Sequence, residues 1–250
     1  MGRRHSIAAR KASGDASKSK SYSMMSKIIQ IAAKKGADPK MNPSLELAIQ
    51  KAKYLGVTRD IVDRAILKGS GQLEGEDLQE MTYEGYGPEG IAIIIKTLTS
   101  NTNRTAQNIR LIMNKFGGTL GQTGSVSRLF EEKGIIISNG KKKKENINGK
   151  EIDSITPLNN EEFENEILET SANDFSIEEG IAIIHTSKQD FSETKKQIEN
   201  LNYNIQEADI QYIAKDEITI SDLNKQELSN LINALENDED VDQVYYNLKE

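Results

Sequence analysis

The 250-residue chain has no cysteine and no tryptophan, only two histidines, four prolines and five phenylalanines. Without cysteine there is no disulfide scaffold, no thiolate metal site and no Cys nucleophile, and the composition suits a reducing compartment. His5 and His185 are too few to build a His-based metal site or a catalytic triad. No apolar run approaches the roughly 18 residues of a membrane span. The longest, Ile91 to Ile95, has the length of a strand. The amino terminus lacks an apolar core, which excludes a secretory signal. Apolar residues at 36% and charged residues at 28% are near the globular average, so wholesale disorder is excluded too.

The formal charge of −7 conceals a polarity along the chain. Residues 1–70 carry 15 Lys/Arg against 5 Asp/Glu, a balance of +10. Residues 71–150 carry 11 against 9, or +2, and residues 151–250 carry 6 against 25, or −19. Such a chain presents one end to an anion and turns the other away, which orients the encounter. Residues 1–24 are rich in Arg, Lys and Ser with one acid, Asp15. That composition resembles an organellar transit peptide, but apolar residues are too sparse for a stable isolated helix. It reads as a basic arm that orders on a polyanion.

Three helices are expected after the arm. The first spans about Tyr22 to Lys35 and stops at Gly36. The second opens on Asn42-Pro43, an N-cap followed by a first-turn proline, with Leu45, Ala48, Ile49, Ala52 and Leu55 at helical spacing. The third is capped by Thr58 and carries Ile61, Val62, Ala65 and Ile66; residues 69–75 read as a hinge. From Met81 the period changes to that of a hairpin running to Leu98. A helix beginning at Asn103-Arg104-Thr105 and a strand from Ser125 to Phe130 follow. Glu89-Gly90-Ile91-Ala92-Ile93-Ile94 recurs as Glu179-Gly180-Ile181-Ala182-Ile183-Ile184. With the shared strand–helix–strand order, this points to two related modules. The fold class is therefore α+β and multidomain: a three-helix domain plus two related ferredoxin-like, split β-α-β domains. The expected division is 1–79; 80–133 completed by 217–250; and an inserted domain over 134–216.

Catalytic signatures are lacking. Gly85-x-Gly87-x-x-Gly90 matches a dinucleotide fingerprint by letters, but Pro88 sits inside it and a strand, not a helix, follows. Asn103-Arg104-Thr105 matches a glycosylation sequon and reads as a helix cap. The acid pairs Glu131-Glu132, Glu161-Glu162 and Glu178-Glu179 and the run Glu236 to Asp242 lie in polar, wet segments without a base, nucleophile or metal set. No catalytic residue, cofactor or metal is expected. His185 reads as a rim residue, and the run Lys141 to Lys144 as a solvated loop tip.

The basic set is the stronger signal. Arg3, Arg4, His5, Arg10, Lys11, Lys18, Lys20, Lys27, Lys34 and Lys35 are the candidate phosphate contacts, with Lys40 extending them. Few aromatics interleave, so affinity for backbone is expected and little base stacking. The second and third helices also fit a helix-turn-helix, which would place Arg59 and Arg64 at base edges. The exposed set Thr58, Arg59, Asp60, Asp63 and Arg64 has no net charge, and a structural three-helix bundle gives the same apolar pattern.

At this point the chain resembles the YebC/PmpR family. The resemblance rests on Asp38-Pro39…Asn42-Pro43, Ala48-Ile49-x-Lys51-Ala52 and Ile61-x-x-x-Ala65-Ile66-x-Lys68-Gly69. It rests further on Tyr83-Glu84-Gly85-Tyr86-Gly87-Pro88, Asn103-Arg104-Thr105, Gly117-Gly118-x-Leu120-Gly121-x-x-Gly124-Ser125-Val126, and the tail Leu235-Glu236…Asp240-Val241-x-x-Val244-Tyr245. The resemblance implies a helical domain plus two α+β domains without catalysis, acting as a DNA-binding transcriptional regulator or as a ribosome-associated translation factor. It reaches Gly2 and His5-Ser6, which implies that the arm belongs to the mature protein. Ser100-Asn101-Thr102-Asn103 departs from the family's pattern, the opening lacks its Trp, and residues 139–157 read as an extra insertion.

The expected protein is a cytoplasmic, non-enzymatic nucleic-acid-binding regulator whose target is DNA or ribosomal RNA. The ribosome or a basic protein would meet its acidic domains, and no membrane is involved. Tyr86, Gly87, Pro88 and Arg104, in the densest part of the motif, are the candidate partner contacts. A protein-interaction scaffold with an incidental arm is the third reading.

Overall fold

The structure, a computed structural model, describes residues 15–147 and 150–249. Three helices come first: α1 (Asp15–Ala33), α2 (Pro43–Tyr54) and α3 (Arg59–Gly69). They close on a small core of Met25, Ile29, Leu45, Val57 and Val62 with five alanines, Ala32, Ala33, Ala48, Ala52 and Ala65. Alanines bury little area, so this core is held by close approach of backbones rather than by bulk. Gly69 shows how close: a Cβ there would lie 2.2 Å from the Gln30 carbonyl oxygen and 2.8 Å from Ala33 Cβ. Asn42 caps α2, its side chain accepting from the Leu45 N–H at 3.2 Å while its amide donates to the carbonyls of Ala32 and Gly36. One residue thus starts α2 and ties it to the end of α1.

A four-stranded antiparallel sheet follows, built from β1 (Gln79–Tyr86), β2 (Ala92–Thr99), β3 (Thr119–Leu120) and β9 (Val241–Tyr246) in the order β3-β1-β2-β9. Ile91, Ile93 and Ile95 point to one face at the period of a strand. There they meet Ile109 and Met113 of α4 (Thr102–Lys115) and Leu228, Leu231 and Leu235 of α7 (Asp222–Asn237). Each such side chain, fully buried, is worth about 1.5–3 kcal/mol. This is therefore the stronger of the two cores. Helix α4 leads from β2 to β3 with β1 between them, the split β-α-β expected.

A second sheet holds β4 (Phe130–Ile147), β5 (Lys150–Pro157), β6 (Asp174–Glu178), β7 (Ile181–Ser187) and β8 (Tyr203–Ala214), with helices α5 (Asn160–Ile167) and α6 (Phe191–Asn200). The order is β5-β4-β7-β6, with β8 on β4. Phe163 anchors its core, edge-on to Phe175 at 5.7 Å and to Tyr203 at 5.1 Å between ring centres. Two compact units result: Met1–Glu131 with Ile213–Glu250, and Glu132–Tyr212.

The fold is mixed α+β with two sheets, as the sequence indicates. The internal repeat turns out to be a repeat of a turn. Glu89-Gly90 and Glu179-Gly180 both take positive φ, 51° and 79° in one copy, 50° and 76° in the other. In the second copy Glu178 pairs with Ile181 across this two-residue loop. Two consecutive positive φ values match the twist that a tight hairpin needs. The wiring beyond the turns differs. The strand lying inside the split unit is the hairpin partner β1 in the first sheet and β4 in the second.

Several boundaries are corrected. Helix α1 begins at Asp15, so the last part of the supposed arm is already helical. The cap of α4 is Asn101, accepting from Arg104 N–H at 3.0 Å, and Asn103 lies inside the helix. The strand expected over Ser125 to Phe130 is a 3₁₀ turn at Ser127–Leu129 that leads into β4. Lys141 to Lys144 are not a loop tip: they run within β4, paired from Gly140–Pro157 to Ile147–Lys150. The ladder satisfies their backbone, and Lys141 reaches Glu162 and Glu166 at 2.6 and 2.8 Å.

Candidate nucleic-acid interface

Arg3, Arg4, His5, Arg10 and Lys11 lie outside the described residues. The remaining basic candidates divide by what their amines already touch. Lys27 Nζ donates to the Asp240 carboxylate at 2.8 Å and to the carbonyls of Leu98 and Glu239 at 3.1 and 2.9 Å. Breaking a buried pair of this kind costs about 3–5 kcal/mol, more than a single phosphate contact returns. Lys27 is therefore a structural residue, a correction to its place among the phosphate contacts. Lys20 donates to the Glu236 carbonyl at the end of α7, and Lys34 to Asp77 and to the Leu78 carbonyl. Lys18 and Lys35 are exposed.

Arg59 stands 91% exposed and reaches Asp63 at 3.5 Å. An exposed pair one helical turn apart is worth only about 0.3–0.5 kcal/mol, so a phosphate can displace it. Arg64 is exposed as well. It lines a groove between α1 and α3 formed by two adjoining cavities of about 320 and 190 Å³. Both are walled by Ser26, Ile61 and Lys68; Glu76 also lines the larger and Asp60 the smaller. Lys68 had no part in the expected set, yet it is the cation shared by both cavities. Its position on the α3 face that turns toward α1 was readable from its spacing to Ile61 and Ala65.

The expected partner contacts fare differently. Gly87 and Pro88 are buried, because the turn packs on α7: a Cβ on Gly87 would lie 3.0 Å from Ile93 and 3.4 Å from Leu228. Glu89, in the same turn, accepts from the Ser221 hydroxyl at 2.9 Å and from the Asn224 side chain, at the start of α7. These bonds hold its carboxyl below the ordinary range. The turn is thus a brace for α7 and not an open docking loop. Tyr86 remains partly exposed, with its hydroxyl on the Ser125 carbonyl at 3.0 Å, and Arg104 is exposed as well. Arg104 is occupied by Asp240 at 2.9 Å.

Asp240 is the residue that sequence reasoning missed. It sits in the acidic run assigned to wet surface, yet its side chain is 1% exposed. Besides Lys27 and Arg104 it accepts from the hydroxyls of Thr105 at 2.8 Å and Thr99 at 3.3 Å. Burial alone would raise its carboxyl; the hydrogen bonds from Lys27, Arg104 and Thr105 outweigh that and hold it low. The available signal was the pairing of two motifs, Arg104-Thr105 and Asp240-Val241, which meet here. Glu84 is the second such carboxylate. It is buried and accepts from the N–H groups of Gly124, Val126 and Ser127 at 2.8, 2.7 and 2.9 Å. Burial pushes it up, and those three donors bring it below the usual carboxylate range. His185 is pushed down by burial, against the pull of Asp174. Among the described residues no group of three or more His, Asp or Glu is placed to hold a metal ion, and no helix is long and apolar enough to cross a membrane.

Comparison with known proteins follows the same division of the chain. Residues 3–72 match the TACO1/YebC protein N-terminal domain, and residues 78–248 match the TACO1/YebC second and third domain. A probable transcriptional regulatory protein of Listeria monocytogenes is 38% identical over 245 residues, covering 97% of this chain and 95% of the relative. One from Caldanaerobacter subterraneus is 38% identical over 236 residues, covering 94% and 91%. The crystal structure of a conserved hypothetical protein from Aquifex aeolicus superposes with a TM-score of 0.81 at 34% identity, covering 95% of this chain and 93% of that one. With both family models matched across nearly the whole sequence, the chain belongs to the TACO1/YebC family.

Proposed function

We propose that this chain is a non-enzymatic regulator of gene expression that binds nucleic acid by its phosphate backbone, through the helical domain and the basic segment before it. The observation that carries this reading is the charge division: +10 over residues 1–70, where Lys18, Lys35, Lys53, Arg59 and Arg64 are exposed, against −19 over residues 151–250. A polyanion is drawn to those exposed cations and repelled by the acid-rich segments. The relatives' description as transcriptional regulators favours duplex DNA as the target. A translation factor that contacts ribosomal RNA is the second reading, and the Arg59–Asp63 pair favours it. Sequence-specific regulators need side chains committed to base edges. Here the exposed start of α3 offers two arginines interleaved with Asp60 and Asp63, a poor surface for a deep groove lined by phosphates.

Competition binding at fixed salt tests both readings. Under the DNA reading one operator outcompetes random duplex by about 10³-fold or more, and Arg59→Ala with Arg64→Ala removes that preference. Under the RNA reading there is little discrimination, and the chain co-sediments with ribosomes. Removing residues 2–14, which hold Arg3, Arg4, Arg10 and Lys11, should flatten the salt dependence on duplex DNA by about 3 to 4 logarithmic units per decade of salt. Unchanged binding after that deletion overturns the role given to the basic segment.

A further inference from the structure

The turn that joins α2 to α3 has features that a backbone grip leaves unexplained. Tyr54, the last residue of α2, is 51% exposed, and among the described residues it makes no hydrogen bond and no aromatic ring contact. The other tyrosines are engaged. Tyr22 donates to the Gly56 carbonyl, Tyr83 to Thr102, Tyr86 to Ser125 and Tyr203 to Glu166. Single exposed aromatics are ordinary on protein surfaces; what marks this one is its company. Lys53 precedes it, exposed, and Arg59 follows across a four-residue turn, 91% exposed and held only by the weak pair with Asp63. Thr58 stands between them, exposed, and its hydroxyl is not used to cap α3.

The turn itself is firmly built. Gly56 takes φ +75°, Val57 is buried with its N–H on the Ala52 carbonyl at 2.9 Å, and Tyr22 of α1 fastens the Gly56 carbonyl at 3.0 Å. A half-exposed aromatic ring at the head of a rigid turn, with an exposed cation before it and another after it in sequence, is an arrangement that receives a flat base and its neighbouring phosphates. A double helix keeps its bases stacked inside and offers no free face to such a ring. It would also lay phosphates along α3, where Asp60 and Asp63 stand exposed.

We propose that the α2–α3 turn is a seat for an unpaired nucleotide, Tyr54 stacking on the base while Lys53 and Arg59 hold the neighbouring phosphates. This rests on the nucleic-acid reading above and narrows it to single-stranded segments. Base-on-aromatic stacking is tolerant of base identity, so the seat gives a preference for strandedness rather than for sequence.

The test uses the full chain and fluorescein-labelled oligonucleotides of about twelve residues, within the range of single-strand site sizes. The probes are oligouridylate, oligothymidylate and a mixed-sequence duplex of the same length, titrated by fluorescence anisotropy. Tyr54→Ala should weaken binding of the single strands by about 5- to 100-fold and change duplex affinity by less than twofold. Tyr54→Phe, which keeps the ring, should bind like the unaltered chain. Lys53→Gln with Arg59→Gln should flatten the salt dependence on single strands by about 1.4, two phosphates' worth. A greater loss on oligouridylate than on oligothymidylate assigns the seat to RNA, and equal losses to either strand. Single strands bound equally well by Tyr54→Ala would overturn the proposal while leaving the phosphate-grip reading intact, as would an equal loss on duplex. Capture of a protein at this turn in place of either strand overturns it too. An unaltered chain that binds none of the three probes overturns both.

Discussion

Replacing Asp240 with alanine should lower the unfolding free energy by about 3–5 kcal/mol, because it leaves two cations facing a site built for a carboxylate. Lys27 would keep only the Leu98 and Glu239 carbonyls, and Arg104 only Glu239 at 3.7 Å. The loss concerns more than one contact. Lys27 belongs to α1, and with Lys20 on Glu236 it fastens the alanine-rich helical core to the end of α7 and the loop after it. A core in which half of the buried residues are alanine has little reserve, so the helical domain should be the first part to open in Asp240→Ala. Amide hydrogen exchange in α1 to α3 would show this as protection lost there ahead of β2 and α7. Asp240→Asn keeps one acceptor oxygen, which can serve the two threonines, but loses the charge and the second acceptor, and should fall between. The pH dependence has a definite sign. The folded carboxyl lies below its unfolded value, so its contribution is complete above about pH 4 and is lost as pH falls through the lowered folded value. Urea unfolding at pH 7 and at pH 3 should therefore show a smaller acid loss in Asp240→Asn than in the unaltered chain. Equal acid losses would show that the hub does not carry this linkage.

Glu84→Gln should cost about 2–4 kcal/mol although it changes one atom of the side chain. One carboxylate oxygen accepts from Gly124, and the other from Val126 and Ser127. An amide offers one acceptor and one donor, so whichever way it lies at least one backbone N–H faces another donor. The segment it holds also positions Tyr86, whose hydroxyl rests on Ser125. Faster exchange at Val126 and Ser127 with β2 unchanged would locate the damage; stability within 0.5 kcal/mol of the unaltered chain, the range of an ordinary surface change, would mean the carboxylate is not the anchor. The acid sensitivity has the same sign as that of Asp240, since Glu84 is also held low.

These two carboxylates mark where sequence reading stops. Glu84 and Asp240 look like surface acids by composition, one in a hairpin and the other in an acidic run. Their burial depends on donors 40 to 43 residues away for Glu84, and 135 to 213 residues away for the Thr105, Arg104 and Lys27 partners of Asp240. Local pattern carries no information about such partners. The same limit explains the turn at Gly87-Pro88. Its glycine and proline signal a loop, and loops lie on the surface by default. Here α7, recruited from the far end of the chain, covers it.

What the sequence by itself determined is the set of local elements and the charge axis. Asn42-Pro43 starts α2 because the cap and the first-turn proline need only their own neighbours, and Ile91 to Leu98 is a buried strand because its side chains leave no polar face. The charge division needs no fold at all, since it is a property of the order of residues. The tertiary structure alone decided which charges remain available to a polyanion. Lys27 and Arg59 are both basic residues on amphipathic helices. Lys27 meets a buried carboxylate and two carbonyls, while Arg59 stands in water against a single exposed acid. The strength of an ion pair is set by the solvent taken from around it, and that becomes defined only when distant segments pack together.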